Sequence, residues 1–144
     1  MLKGISPVVG PDLLATLSRM GHGDEIVFAD AHFPAESIGP PVIRMDGVDI
    51  ETLLRGVMPL LVLDQYDEEA VVMMDVVPGD KPDPSVEQGY LTIIREHEKK
   101  EWKATRIERF AFYKRAAKAF AIVVSGDTRK YANLILKKGV IPAL

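Results

Sequence analysis

The sequence predicts an α/β fold in three layers, with helices on both faces of a mixed, mostly parallel sheet. Two observations carry that expectation. Short, nearly continuous apolar runs such as Val71-Val72-Met73-Met74-Asp75-Val76-Val77 have the composition of strands covered on both faces. Between such runs lie segments whose apolar residues recur at helical spacing, so strands and helices alternate. The 144 residues, 47% hydrophobic and 27% charged, suffice for one core. No repeat, linker or low-complexity tract divides them, so residues 1–144 are read as a single domain.

The elements follow in order. Pro7, Gly10 and Pro11 mark a lead-in, and Pro11 suits the first turn of a helix, where its missing N–H costs nothing. Leu13, Leu14, Leu17 and Met20 then recur at helical spacing, with Gly21 placed just past the helix end. Residues 25–30 read as a short buried strand that closes on a carboxylate. Pro34, Gly39, Pro40 and Pro41 make a loop, followed by a short strand, Val42–Met45. Asp49 caps a helix with Ile50, Leu53, Leu54, Val57, Met58 and Leu61 on its apolar face, and Pro59 ends or kinks it. Residues 71–77 form the next strand and 79–84 a loop. Asp83-Pro84 then opens a helix with Val86, Tyr90, Ile93, Ile94 and His97 on one side. A brief strand is expected over 104–109, a short helix over 110–118, a strand over 119–124 and a turn at 125–127. A last strand is expected over 131–136.

Composition excludes several classes of function. A net charge of -3 leaves no large electrostatic footprint for nucleic acid, and the basic cluster at 99–118 is broken by Glu101 and Glu108. Absence of cysteine removes disulfide scaffolds, thiolate metal sites and cysteine nucleophiles. No apolar run approaches the ~18 residues of a membrane span, and the N-terminal residues lack the apolar core of a secretory signal. A cytoplasmic location is expected. There is no GxGxxG fingerprint, no phosphate-binding GxxxxGK[ST] loop and no GxSxG elbow. Met45, Met58, Met73 and Met74 sit in apolar runs and read as core filling.

The residues that carry chemistry are polar groups where apolar strands end. His22 lies between Gly21 and Gly23 just beyond a helix C-terminus, where a cation is favoured; it suits a general acid or a mere decoration of the cap. Asp30 closes a strand, at the carboxyl end where open α/β sheets bind ligands, and suits either sugar hydroxyls or its own loop backbone. His32 raises a metal site with His22 and Asp30, but the spacing fits no zinc pattern, so no metal is expected. If 131–136 is extended, Tyr131 and Asn133 leave the same face and make a clamp for a polyol, or simply a solvent face. Arg109, between a strand and a helix, can fork onto vicinal hydroxyls or pair with a carboxylate such as Glu108.

Three segments share a pattern. Residues Gly21-His22-Gly23-Asp24-Glu25-Ile26-Val27-Phe28-Ala29-Asp30-Ala31-His32-Phe33-Pro34 closely resemble the start of the L-fucose mutarotase and D-ribose pyranase family. Arg109-Phe110-Ala111-Phe112-Tyr113 through Ser125-Gly126 is similar to the fucose branch, as is Lys130-Tyr131-Ala132-Asn133 through Gly139-Val140. The similarity spans nearly the whole chain, with the motifs in order.

The resemblance implies interconversion of the anomers of a free monosaccharide, L-fucose, without metal or cofactor. It implies His22 as proton donor, with Asp30, Arg109, Tyr131, Ala132 and Asn133 around the sugar. Ala132 stands where fucose-type members often carry glycine, which leaves it a backbone contact. Ribose-type members tend to have a histidine near the position of Arg109. The resemblance also implies assembly into a ring, commonly a decamer, in which the Tyr131 and Asn133 strand completes a neighbour's site. Pyranose–furanose conversion of D-ribose, non-catalytic sugar binding and a purely structural ring subunit are the alternatives. Mutarotation itself asks only for a proton given to the ring oxygen and one taken from the anomeric hydroxyl, by a held water or by Tyr131.

Overall fold

The four longer helices begin where a side chain or a proline accounts for one of the unpaired N–H groups. The structure, a computed structural model, describes residues 1–143. Helix α1 (Pro11–Arg19) starts on a proline, and α3 (Ile50–Val57) is capped by Asp49, whose carboxylate accepts the Thr52 N–H at 2.8 Å. Asp83 caps α4 (Pro84–His97) through the Ser85 N–H, and Glu108 caps α5 (Arg109–Ala116) through the Ala111 N–H at 3.0 Å. A single helical turn, α2 (Ala35–Ile38), occupies what the sequence suggested was loop. Four residues are too few to show a helical period.

Six strands form one sheet: β1 (Glu25–Ala29), β2 (Val42–Met45), β3 (Val71–Met74), β4 (Thr105–Ile107), β5 (Ala121–Ser125) and β6 (Leu134–Lys137). Their order is β2-β5-β1-β6-β3-β4. All are mutually parallel except β6, which runs antiparallel to both β1 and β3. The mixed, mostly parallel α/β sheet matches the expectation.

Alternation along the strands sorts the core into two layers. Ile26, Phe28, Met73, Leu134 and Leu136 face α1, α3 and α4; Val27, Ala29, Val72, Ile122 and Ile135 face α2 and α5. Both faces of β1, β3 and β5 are buried, which is why their sequences lack polar alternation.

Two boundaries differ in ways that matter for the site. β3 stops at Met74; the Asp75 N–H still donates to the Ile107 carbonyl at 2.7 Å, and the chain then turns away ahead of Pro78 and the left-handed Gly79 (φ 96°). β6 starts at Leu134, because Tyr131 is itself left-handed, with φ 57°. A strand cannot contain that angle, so Tyr131 and Asn133 are not neighbours on one extended face.

Candidate active site

The parallel strands end on a common edge, and there the chain forms a cavity of about 380 Å³, within the range usual for small-molecule sites. Asp30 enters it from the end of β1, Arg109 from the first turn of α5, and Tyr131 and Asn133 from the turn into β6. Asp80, Arg129 and His32 also line it. A second hollow of about 320 Å³ lies under Met1, Leu2, Pro7 and Leu14 and offers no acid or base side chain.

Asp30 is held on two sides. Its N–H donates to the Asn133 side-chain oxygen at 2.7 Å, and its own Oδ1 accepts the His32 N–H at 2.9 Å. Burial pushes its carboxyl above the ordinary aspartate range, against the pull of those bonds. Tyr131 turns into the cavity on its left-handed backbone and donates its hydroxyl to Asp80 Oδ2 at 2.5 Å. That bond raises the Tyr131 pKa, with a smaller upward contribution from burial. The tyrosine therefore holds its proton firmly yet has an acceptor in line to relay it.

Arg109 makes no ion pair among the described residues. Glu108 is occupied with the helix cap, and the Arg109 guanidinium rests over the Phe110 ring at 4.6 Å with its donors free for a ligand. Arg129 differs: Asp127 grips it at 3.0 and 2.8 Å, and Glu51 lies 3.6 Å away. Burial pushes the Asp127 carboxyl up, but bonds from Arg129 and from the Ile50 N–H outweigh it and leave the group below its usual range. Ala132 is fully buried and not among the residues lining the cavity; its carbonyl accepts the Tyr90 hydroxyl at 2.7 Å. Its backbone is thus sealed from the cavity, away from the contact expected of it.

His22 lies elsewhere. It precedes β1, whereas Asp30 follows it, so about 17 Å of strand separates the two. The imidazole is half exposed, and its Nε2 meets Oδ1 of the buried Asp64 at 3.1 Å. With Nε2 engaged, Nδ1 has no side-chain partner among the described residues. Lys138, and not His22, supplies the cation at the end of α1: its ammonium donates to the Leu17 and Met20 carbonyls at 2.7 and 2.6 Å. The left-handed glycine of this turn is Gly23 (φ 88°), where Gly21 was expected to end the helix. Its N–H donates to the Lys138 carbonyl at 2.8 Å. The chain thus brings Asp30, Arg109, Tyr131 and Asn133 together and sets His22 apart, with Asp64, at the opposite end of the sheet.

Asp64, Asp80 and Arg129 escaped the sequence reading. Each sits in a turn rich in aspartate or glycine, where such residues ordinarily serve the backbone. Among the described residues no group of three His, Asp or Glu side chains is arranged to hold a metal ion, and no helix is long and apolar enough to cross a membrane.

Comparison with known proteins places the chain in a family. Residues 3–141 match the model of the RbsD / FucU transport protein family. An L-fucose mutarotase of Actinobacillus pleuropneumoniae serotype 5b is 54% identical over 142 residues, 99% of each chain. The fucose mutarotase of Streptococcus pneumoniae, solved in complex with L-fucose, superposes with a TM-score of 0.92 at 45% identity, covering 98% of this chain and 100% of that one. Bacillus subtilis RbsD complexed with D-ribose, at 19% identity and a TM-score of 0.74 over 99% of this chain and 100% of its own, shares the fold. A match that runs almost end to end, with a relative more than half identical, makes the chain a member of the RbsD/FucU family.

Proposed function

We propose that this protein is an L-fucose mutarotase, a cofactor-independent cytoplasmic isomerase whose residues 1–144 act as one sugar-handling domain. The observation that carries the reading is the cavity at the strand ends, where a buried carboxyl, a free guanidinium and a tyrosine with a proton acceptor converge. The fucose mutarotase relatives and the fucose-bound neighbour support the choice of sugar.

The separation of His22 from that cavity supports a site made by two copies. In this reading one copy supplies Asp30, Arg109, Tyr131 and Asn133, and a neighbour presents His22, oriented by its own Asp64. The Tyr131 and Asn133 segment then still completes the site of a neighbour's His22, and Asp30 and Arg109 go with it, since all four line one cavity. A closed ring, such as a decamer, gives every copy both roles.

The chemistry balances with these groups. The neighbour's protonated His22 gives a proton to the ring oxygen as the C1–O5 bond breaks. Tyr131 takes the anomeric hydroxyl proton and passes its own to Asp80, so no free tyrosinate forms. The aldehyde turns about C1–C2, and closure reverses both transfers. Asp30, Arg109 and Asn133 hold the remaining hydroxyls. General acid–base catalysis contributes about 10²–10⁴-fold, enough for a reaction that already proceeds in water.

Saturation-transfer NMR on equilibrated L-fucose, with D-ribose, galactose and glucose alongside, tests the reading. Faster anomer exchange for L-fucose than for the other sugars is expected. Exchange at the uncatalysed rate despite calorimetric fucose binding identifies a sugar-holding protein instead, and acceleration of D-ribose alone a pyranase.

A further inference from the structure

We propose that Tyr66 is a sugar-binding residue, an aromatic platform that a neighbouring copy brings to the site together with His22. The inference rests on His22 being the proton donor and adds to that reading a residue that touches the substrate.

Tyr66 is anomalous as a structural residue. The residue is 78% exposed, while Tyr90 is buried and Tyr113 and Tyr131 are partly so. Its hydroxyl has no hydrogen-bond partner among the described residues, and among them the ring it meets is that of His22, with centroids 5.8 Å apart and planes tilted by 53°. A tyrosine needed for packing buries its ring and satisfies its hydroxyl.

Its backbone, in contrast, is fixed. The Tyr66 N–H donates to Asp64 Oδ1 at 3.1 Å, and the Asp67 N–H donates to the Asp64 carbonyl at 3.2 Å. The same Oδ1 meets His22 Nε2 at 3.1 Å. One buried carboxylate oxygen therefore sets both the imidazole and the turn that carries the aromatic ring. A molecule that receives a proton from His22 lies beside Tyr66.

The chemistry of the two partners matches. A pyranose presents hydroxyls at its edge and C–H groups on its faces, and a 6-deoxy sugar adds an exocyclic methyl. The cavity of Asp30, Arg109, Tyr131 and Asn133 supplies polar groups for the edge. Phe33, Met74, Val77 and Tyr113 give that cavity an apolar wall on the Asp30 side, and the exposed Tyr66 ring adds an aromatic face for the C–H groups and the methyl on the side from which His22 comes. Tyr66 thereby favours a 6-deoxyhexose over a pentose, which has no such methyl.

The test compares wild type, Tyr66→Ala and Tyr66→Phe by saturation-transfer NMR over a range of L-fucose and D-ribose concentrations, with sedimentation velocity on the same samples. For Tyr66→Ala the KM for L-fucose is expected to rise about five- to tenfold, the size of one lost aromatic contact, with kcat held within about twofold. Any KM change for D-ribose is smaller, Tyr66→Phe behaves as wild type, and all three proteins sediment alike. An unchanged fucose KM in Tyr66→Ala overturns the proposal. So does its dissociation into smaller species, which makes Tyr66 a contact between copies. Wild type that fails to accelerate exchange removes the mutarotase reading itself and this inference with it, before any variant is compared.

Discussion

The Asn133 side-chain oxygen accepts the Asp30 N–H at 2.7 Å, tying the start of β6 to the end of β1 across 103 residues of sequence. Both residues are buried, so the bond positions a cavity carboxylate and also completes the hydrogen bonding of the sheet edge. Asn133→Ala leaves the Asp30 N–H without its acceptor. A loss of about 1–3 kcal/mol is expected in urea unfolding, together with weaker L-fucose binding by calorimetry. Unaltered stability contradicts the role given to this bond.

His22 and Asp64 act as one unit if the imidazole is oriented by its carboxylate. His22→Ala is expected to slow anomer exchange by about 10²–10³-fold, and Asp64→Asn by less. The double variant should be no slower than His22→Ala alone, because Asp64 acts through the ring. Multiplicative losses in exchange NMR mean that the two residues act independently.

Asp30 links function to stability. Burial raises its pKa in the folded chain above the ordinary aspartate value of 3.8. The stability gained by keeping it neutral is fully present below that ordinary value and is lost as pH rises through the raised one. Asp30→Asn keeps an oxygen for the His32 N–H and removes the charge. It is therefore expected to be more stable than wild type at pH 7, with the difference fading on acidification towards pH ~3. Thermal unfolding across that range, compared with exchange activity that Asp30→Asn should lose through weaker binding, checks the trade.

Much of the frame was legible because its signals are local. Asp49 and Asp83 announced their helices, and Val42–Met45 was bounded by proline and a polar turn. The left-handed Tyr131 was not legible, since glycine and asparagine are the residues that advertise such an angle and Tyr131 is neither. Its neighbourhood therefore read as strand. The division of the site was hidden for another reason. His22 and Asp30 are eight positions apart in a motif that reads as one unit, yet the intervening segment is extended and carries them to opposite ends of the sheet. Asp64 and Asp80 gave no signal because their partners lie 42 and 51 residues away.

The central claim is that a working site takes His22 from one copy and Tyr131 from another. Mixing two inactive proteins, His22→Ala and Tyr131→Phe, tests it most directly. Co-expressed or refolded together, they form junctions where an intact His22 meets an intact Tyr131, at about one quarter of all sites in a random equal mixture. Anomer exchange should return to about that fraction of wild type, while each variant alone stays inactive. Mixed assemblies that form but show no exchange would contradict the account.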